Sequence, residues 1–356
     1  MATALTVLAA CGGAAPASSS AAASAGAPAS AAAKPSASSG APDTVRFGSL
    51  TPSASDAGWL IANAKGYFAE QRIKLEISRF SNGSELVPPL GTNQLDVGGG
   101  APNAGLFNAV ARDVPLLIVA DKGSTPPGYG FQAFVVRKDL MDSGKFKSPA
   151  DLKGMKVALP QRAQSGEVSL VEILKSGGLK LSDVDLTVMP FPEMSAAYAN
   201  KNIDASTYIE PFITNAVEQG FVSIWQRGDQ YTPNQQVAAI QFAPQFAKNT
   251  DLATRFMVAY LKGVRLYNDA FAKKDPAAKA EVVDILARET TLKDKALYDK
   301  MGLPGLNPNG TVNVADLKRQ QDYYLSSGQQ KNAADLDKVV DGSFVAAALK
   351  QLGAYK

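Results

Sequence analysis

Residues 91–121 have the sequence GTNQLDVGGGAPNAGLFNAVARDVPLLIVAD, in which the fold class is most clearly indicated. Short apolar runs at 95–97 and 116–120 flank a Gly-rich loop and a helix-like segment at 103–111. The stretch therefore predicts a strand, a loop, a helix and a second strand in succession. Such alternation is typical of α/β proteins built around parallel strands.

The same alternation extends along the chain in both directions. Upstream it predicts strands at 45–47 and 74–77 and helices at 56–68 and 83–91. Downstream it predicts strands at 133–137, 156–158, 186–189, 205–208 and 237–242, with helices at 166–175 and 194–200. Beyond residue 246 the pattern is mainly helical, and 252–271 is the longest candidate. We predict an α/β fold with a helical C-terminal part.

The composition excludes most enzyme classes. The 356 residues include no histidine and one cysteine, which removes Ser-His-Asp and Cys-His nucleophiles and nearly all zinc sites. The net charge is +3, and no Lys/Arg stripe with interleaved aromatics occurs, so we expect no nucleic-acid partner. No apolar run reaches the roughly 18 residues that a membrane span needs. We expect a binding protein without a metal or cofactor.

The first 42 residues differ in composition from the rest. The lone cysteine, Cys11, lies in the run LAACG at 8–12, which resembles a bacterial lipobox. Residues 12–42 are almost wholly Ala, Ser, Gly and Pro, with Lys34 as their only charge. We predict a lipoprotein signal remnant at 1–11, lipidation of Cys11 and a disordered linker at 12–42. The ten residues before Cys11 hold no Lys or Arg, so we expect the recorded start to be truncated.

A series of short motifs carries a family resemblance over residues 43–268. The motifs are AKGYF at 64–68, SNGSE at 81–85, GTNQLDVGG at 91–99, AVARDVP at 109–115, DLKGMKVA at 151–158 and IEP at 209–211. In this order and spacing they resemble the nitrate/sulfonate/taurine-type solute-binding proteins of ABC importers, which include thiamine-pyrimidine relatives. Precursor synthases among those relatives consume a histidine of their own site, and this chain has none.

The resemblance implies a periplasmic-binding-protein type II fold of two α/β lobes. Lobe one is expected at 43–133 plus 238–356 and lobe two at 134–237, with crossovers near 131–134 and 234–238. The ligand is expected in the cleft between the lobes. The implied partners are a small molecule and the permease and ATPase subunits of an importer. A monomer held by its lipid at the outer face of the cytoplasmic membrane is expected.

Ligands of open α/β sheets bind beyond the carboxyl ends of strands, where loops lead into helix N-termini. The candidate loops are 51–58, 80–84, 98–103, 121–125, 159–166 and 207–211. The candidate ligand-binding residues in and beside them are Ser53, Trp59, Ser84, Gly100, Asn103, Lys122, Ser124, Arg162, Ser165, Tyr208 and Glu210.

Each candidate also has a purely structural interpretation. Serine or asparagine before a helix serves equally well as an N-cap. Trp59 is as often a core residue at a helix start as a stacking partner for a ligand. Glu210 either binds ligand or orients the helix after Pro211. These alternatives stay open at the level of sequence.

The two cations in the candidate loops, Lys122 and Arg162, point to a small organic anion, a sulfonate or carboxylate. Arg162 is placed to clamp such a group in a bidentate way, unless it is a solvated loop arginine. Arg162→Ala is then expected to cost more affinity than Lys122→Ala. Aromatic ligands are included, because Trp59, Tyr208, Tyr129 and Phe131 fall near the predicted cleft and suit ring stacking.

Three other functions remain as alternatives. The first is a binding protein for a neutral aromatic heterocycle of the pyrimidine or flavin type. The second is a carboxylate-based hydrolase, for which Asp56 and Glu210 are the only pair of acids we identify. The third is a surface scaffold on a lipid tether, which fits residues 1–42 equally well but does not explain the α/β loop pattern.

Overall fold

The computed structural model describes residues 41–356. The predictions for Cys11, the signal remnant and linker residues up to 40 lie outside the described residues. The strands are β1 (Asp43–Ser49), β2 (Ile73–Arg79), β3 (Val97–Gly100), β4 (Leu117–Ser124), β5 (Gln132–Arg137), β6 (Lys156–Leu159), β7 (Asp185–Val188), β8 (Ala205–Ile209), β9 (Val222–Arg227) and β10 (Gln236–Phe242).

The α-helices of this part of the chain vary from single turns to a long C-terminal helix. They are α1 (Ala57–Ala64), α2 (Tyr67–Glu70), α3 (Val87–Gly91), α4 (Ala104–Val110), α5 (Lys138–Asp142), α6 (Ser165–Ser176), α7 (Phe191–Ala199), α8 (Phe212–Glu218), α9 (Gly228–Tyr231), α10 (Pro244–Lys248), α11 (Thr250–Phe271), α12 (Pro276–Glu289), α13 (Val314–Ser326), α14 (Leu336–Val339) and α15 (Ser343–Leu352). None of the described helices is long and apolar enough to cross a membrane.

The strands form two separate mixed sheets. The first has the order β2-β1-β3-β10-β4, and the second has the order β7-β6-β8-β5-β9. β10 runs antiparallel to both β3 and β4, and β5 runs antiparallel to both β8 and β9. The chain passes to the second sheet between β4 and β5 and returns between β9 and β10. These are the two crossings of a bilobal α/β protein, so the predicted fold class is confirmed.

The core of the first sheet is closed by the C-terminal helices. α11 buries Phe256, Tyr260, Val264 and Tyr267, which recur at helical spacing along one face. Phe256 lies 6.3 Å from Phe47 of β1 between ring centroids and also contacts the ring of Phe242 in β10. The long helical candidate at 252–271 therefore packs on the first sheet.

The second sheet is buried on both faces. Ala133 and Val135 of β5 pack in one hydrophobic cluster with α7 and α8, while Phe134 and Val136 pack in the opposite cluster with α6. This alternation follows from the two-residue period of a strand. It also fixes which side chains of the neighbouring strand β8 reach each face.

The structure differs from the sequence-based expectations at β4 and at β9. Residues 121–124 belong to β4 rather than to a loop, because pairing with β10 continues as far as Ser124 opposite Gln236. Strand β9 was not predicted at all; it is an edge strand whose residues are mostly half-buried, so it lacks a strong apolar run.

Candidate functional site

A cavity of about 90 Å³ lies between the two sheets, at the end where both send loops toward each other. Its wall combines residues next to β1, β3 and β4 with residues next to β6 and β8 and with both crossing segments. The principal lining residues are Ser53, Ser55, Asp56, Gly100, Lys122, Phe131, Gln161, Gln164, Ser165, Phe191, Thr207, Ile209 and Val237.

A buried ion pair forms one side of the cavity. Lys122 Nζ lies 2.9 Å from Asp56 Oδ1, and both side chains are only 3% exposed. Lys122 also donates to Ser55 Oγ over 3.3 Å. Gly99 makes room for this lysine, because a Cβ there would lie 2.9 Å from Lys122 Cε. A glycine on β3, which is separated from β4 by β10, thus leaves space for the lysine side chain that carries the ammonium group to the cavity.

The Asp56 carboxylate is held by several donors. Trp59 Nε1 donates to Oδ1 over 2.6 Å, and the Ser53 amide and hydroxyl each donate to Oδ2 over 2.9 Å. Burial by itself raises the pKa of the Asp56 carboxyl, but the Lys122 ammonium and the hydrogen bonds outweigh burial, so the pKa lies below its ordinary value. Asp56 is therefore ionised at neutral pH and serves to fix Lys122.

Thr207 of β8 brings an unpaired hydroxyl to the opposite wall. The residue is 2% exposed, and its Oγ1 has no hydrogen-bond partner in the structure. Buried hydroxyl groups are normally satisfied, and leaving one unpaired is costly. A bound molecule in the cavity would supply the missing partner.

Direct contacts between the loops of the two sheets close the cavity. The Gln161 side chain accepts from the Ser84 amide over 3.2 Å and donates to its hydroxyl over 2.5 Å. The Ala104 amide donates to Ala163 O over 2.9 Å, and the Ala54 amide donates to Glu210 O over 2.8 Å. The structure therefore shows a closed cleft.

Some of the residues predicted from the sequence lie at this cavity. Ser53, Gly100, Lys122 and Ser165 line it, and Ser84 lies at its rim in contact with Gln161. The glycine serves packing, since a Cβ on Gly100 would lie 2.9 Å from Leu86 Cδ1 rather than against open space.

Three residues prove to have the structural role that was left open. Asn103 is the N-cap of α4, where its Oδ1 accepts from the Leu106 amide over 3.0 Å. Trp59 is a core residue, 5.0 Å from Phe47 between ring centroids and 1% exposed. Glu210 is fully buried and accepts from the Thr214 amide of α8 over 2.9 Å, so it orients that helix.

Three further predictions are corrected by their contacts. Arg162 does not line the cavity; its Nε donates to Glu167 Oε2 over 2.6 Å, so its fork already holds a carboxylate. Tyr208 lies in the hydrophobic cluster that β5 forms with α7 and α8, where its hydroxyl donates to Phe191 O over 3.0 Å. Ser124 donates to Gly305 O over 3.0 Å and, like Tyr129, lines a separate groove beside the crossing segments.

The carboxylates proposed for a hydrolase do not form a facing pair. Asp56 is bound to Lys122, while Glu210 lies outside the cavity lining and has Arg227 Nη1 3.3 Å from its Oε1. Burial raises the pKa of the Glu210 carboxyl despite its hydrogen bonds from Gly302 and Thr214. Among residues 41–356 no group of His, Cys, Asp and Glu is arranged to hold a metal ion.

Sequence reasoning missed several lining residues. The loop 207–211 was identified, but Tyr208 and Glu210 were chosen from it instead of Thr207 and Ile209, which line the cavity. The two-residue period of β8 was the available signal, because a core residue at 208 places its neighbours on the other face. Ser55, Gln161 and Gln164 carried no signal beyond their position in the candidate loops, and Phe191, at the start of α7, lies outside all of those loops.

Two sheets of mixed strand direction flanked by helices, two chain crossings between them and an enclosed cleft define a periplasmic-binding-protein fold. Comparison with known proteins agrees: residues 54–277 match the model of the family described as "NMT1/THI5 like", and the chain belongs to this family. The family resemblance predicted from the motifs is thereby confirmed.

Individual relatives are similar over most of their length. A putative binding protein of Brucella abortus (strain 2308) is 27% identical over 295 residues, which cover 82% of this chain and 88% of the relative. The periplasmic nitrate-binding protein of Synechocystis PCC 6803 aligns with a TM-score of 0.71 at 15% identity, covering 87% and 89% of the two chains. The alkanesulfonate-binding protein of Xanthomonas axonopodis pv. citri, bound to MOPS, gives 0.67 at 18% identity, covering 85% and 99%.

Proposed function

We propose that this chain is an extracytoplasmic solute-binding protein that captures a small organic anion and delivers it to the permease and ATPase subunits of an ABC importer. The observation that carries the proposal is the closed cavity, in which both sheets contribute polar groups and one hydroxyl lacks a partner. Relatives described as binding proteins for alkanesulfonate and nitrate support it by analogy. A scaffold would not need such a cavity.

Two features of the lining motivate the choice of an anion, although Asp56 also lines the cavity and pairs with Lys122. Among the described residues, Lys122 is the one cation that lines the cavity. The first residues of α6, Ser165 and Gly166, also line it, and the N-terminal end of a helix attracts negative charge. The neutral aromatic heterocycle is retained as the second candidate because Phe131 and Phe191 line the same cavity.

Binding is proposed to work by closure of two lobes, 43–133 plus 238–356 and 134–237. A ligand that touches both lobes stabilises the closed state only through contacts that the open state lacks. Ser53, Ser55 and Lys122 would supply them from lobe one, and Ser165 and Thr207 from lobe two. The protein is proposed to act as a monomer.

The proposed function is tested most simply at Thr207. Thr207→Val keeps the shape of the side chain but removes the hydroxyl, so we expect about tenfold weaker binding of ethanesulfonate in titration calorimetry. The ligand-free variant should be more stable than wild type by about 1 kcal/mol, because an unpaired buried hydroxyl is replaced by a methyl group and no hydrogen bond within the protein is lost.

Thr290→Val is the matched control. Thr290 is buried, is bonded to the Tyr298 hydroxyl over 3.0 Å and does not line the cavity. It should lose about 1 kcal/mol of stability and keep wild-type affinity. If wild type gives no binding heat with ethanesulfonate, or if Thr207→Val binds as tightly as wild type, the proposed anion site is wrong.

Attachment to the membrane is proposed to occur through lipid on Cys11. The run at 8–12 and the Ala/Ser-rich residues that follow motivate this. When the gene is expressed with a functional leader, Cys11→Ala should move the protein from the membrane fraction to the soluble fraction. Ser18→Ala in the same segment is the control and should leave it at the membrane. Retention of the Cys11→Ala protein would exclude this anchor.

A further inference from the structure

Residues 160–164, here called the cleft loop, carry most of the contacts that seal the cavity from the side of the second sheet. Gln161 bonds to Ser84, Ala163 O accepts the Ala104 amide, and Gln164 forms a backbone bridge with Asn103. The Ala104 amide begins helix α4, so it has no acceptor within its own helix. Its hydrogen bond therefore reports directly on whether the cleft loop is in place.

The conformation of the cleft loop is not one that its own sequence favours. Ala163 has a φ of +57°, in the left-handed region that residues with a Cβ rarely adopt. Neither a glycine nor an asparagine stands at this position to make the turn easy. Contacts from outside the loop must therefore hold its shape.

Glu167, in the first turn of α6, supplies those contacts. Its side chain is fully buried, and its Oε2 accepts from the Ala163 amide over 2.8 Å and from Arg162 Nε over 2.6 Å. Both donors belong to the cleft loop. One carboxylate oxygen thus fixes the strained residue and the arginine beside it.

The other oxygen of Glu167 binds the C-terminal part of the chain. Oε1 accepts from the Tyr323 hydroxyl over 2.7 Å and from Gln329 Nε2 over 2.6 Å. Gln329 is in turn tied to α4, because Asn108 Nδ2 donates to Gln329 O over 3.0 Å. Glu167 therefore lies between the cleft loop and a segment anchored on the first sheet, without lining the cavity itself.

We propose that Glu167 is a positioning residue that holds the cleft loop in its sealing conformation and couples it to Tyr323 and Gln329. Ligand affinity then depends on side chains that never touch the ligand. Arg162, considered from the sequence as an anion clamp, belongs to this positioning cluster. The affinity part of the inference rests on the proposed function, whereas the coupling of the loop to the C-terminal segment does not.

The test uses Glu167→Gln and Tyr323→Phe, with Glu172→Gln as the control. Glu172 lies on the same helix, has a side chain that is 39% exposed, and pairs only with Lys175 at 3.3 Å among the ion pairs described. Hydrogen exchange of the Ala104 amide is measured by NMR both without ligand and at saturating ethanesulfonate, because its bond to Ala163 O joins the two lobes and forms only when they close. We expect exchange about five- to tenfold faster in the two test variants and unchanged in the control, because local opening sets the rate. Ethanesulfonate affinity should weaken by about the same factor.

The outcomes separate the two proposals. If either test variant is thermally less stable but keeps wild-type exchange at Ala104, Glu167 has a merely structural role and the inference is wrong. If wild type does not bind ethanesulfonate, the proposed function fails, and the Ala104 exchange rates still decide the coupling. Should Glu167→Gln fail to fold, Tyr323→Phe provides the same readout, since it removes a single hydroxyl.

Discussion

Lys122→Ala is expected to lower the free energy of unfolding by about 3–5 kcal/mol, because it leaves the Asp56 carboxylate buried without its ion-pair partner. Asp56 is only 2% exposed, so bulk water does not solvate its carboxylate in place of the ammonium. Without Lys122, burial is expected to raise the pKa of the Asp56 carboxyl, since the lysine is the strongest factor that lowers it. Urea unfolding followed by circular dichroism measures the loss.

Two variants show whether the unpaired charge is the cause. Lys138→Ala breaks an exposed pair with Asp142, whose side chains are 48% and 59% accessible, and should cost less than about 1 kcal/mol. Asp56→Asn combined with Lys122→Met removes both charges and should recover most of the stability lost by Lys122→Ala. A double variant no more stable than the single one would show that lost packing, not charge, explains the effect.

The second large effect concerns affinity. Ethanesulfonate is expected to bind Lys122→Met about 10- to 100-fold more weakly than wild type, because the charged hydrogen bond of the cavity is lost. Arg162→Ala should weaken binding by no more than about tenfold, since it acts only through the cleft loop. Arg162→Lys should recover part of that loss, because an ammonium keeps the charge but not the two-pronged contact with Glu167.

This order reverses the one expected from the sequence. Titration calorimetry at a temperature where each variant is folded measures it. A greater loss for Arg162→Ala than for Lys122→Met would restore Arg162 as the anion clamp. Equal affinity of wild type and Lys122→Met would instead favour the neutral aromatic heterocycle.

The difference between the two cations shows where sequence reasoning ends. Both lay in segments predicted as loops after strands, and nothing local distinguished them. Arg162 forms an ion pair with Glu167, five residues further along the chain, whereas Lys122 forms one with Asp56, which is distant in sequence. Which partner a side chain takes depends on tertiary packing, so the loops were predictable but the roles of these residues were not.

The order and direction of the strands could not be predicted from the sequence either. Apolar runs located β5 and β10 to within one residue, but the runs carry no sign that both strands pair antiparallel with their neighbours. That pairing extends β4 through Lys122 and turns a predicted loop into a buried strand end. By contrast, the motifs that resemble the family were sufficient to predict two lobes, because they record the order of the loops that meet at the cleft.

The most direct test of the binding cleft is a crystal structure of the full chain grown with saturating ethanesulfonate. We expect the sulfonate between the two sheets, with its oxygens within about 3.2 Å of Lys122 Nζ and Thr207 Oγ1 and with Gln161 still bonded to Ser84. A sulfonate bound in the groove beside Asn307 and Asn313, or an empty cavity in protein that calorimetry shows to be saturated, would contradict the proposal.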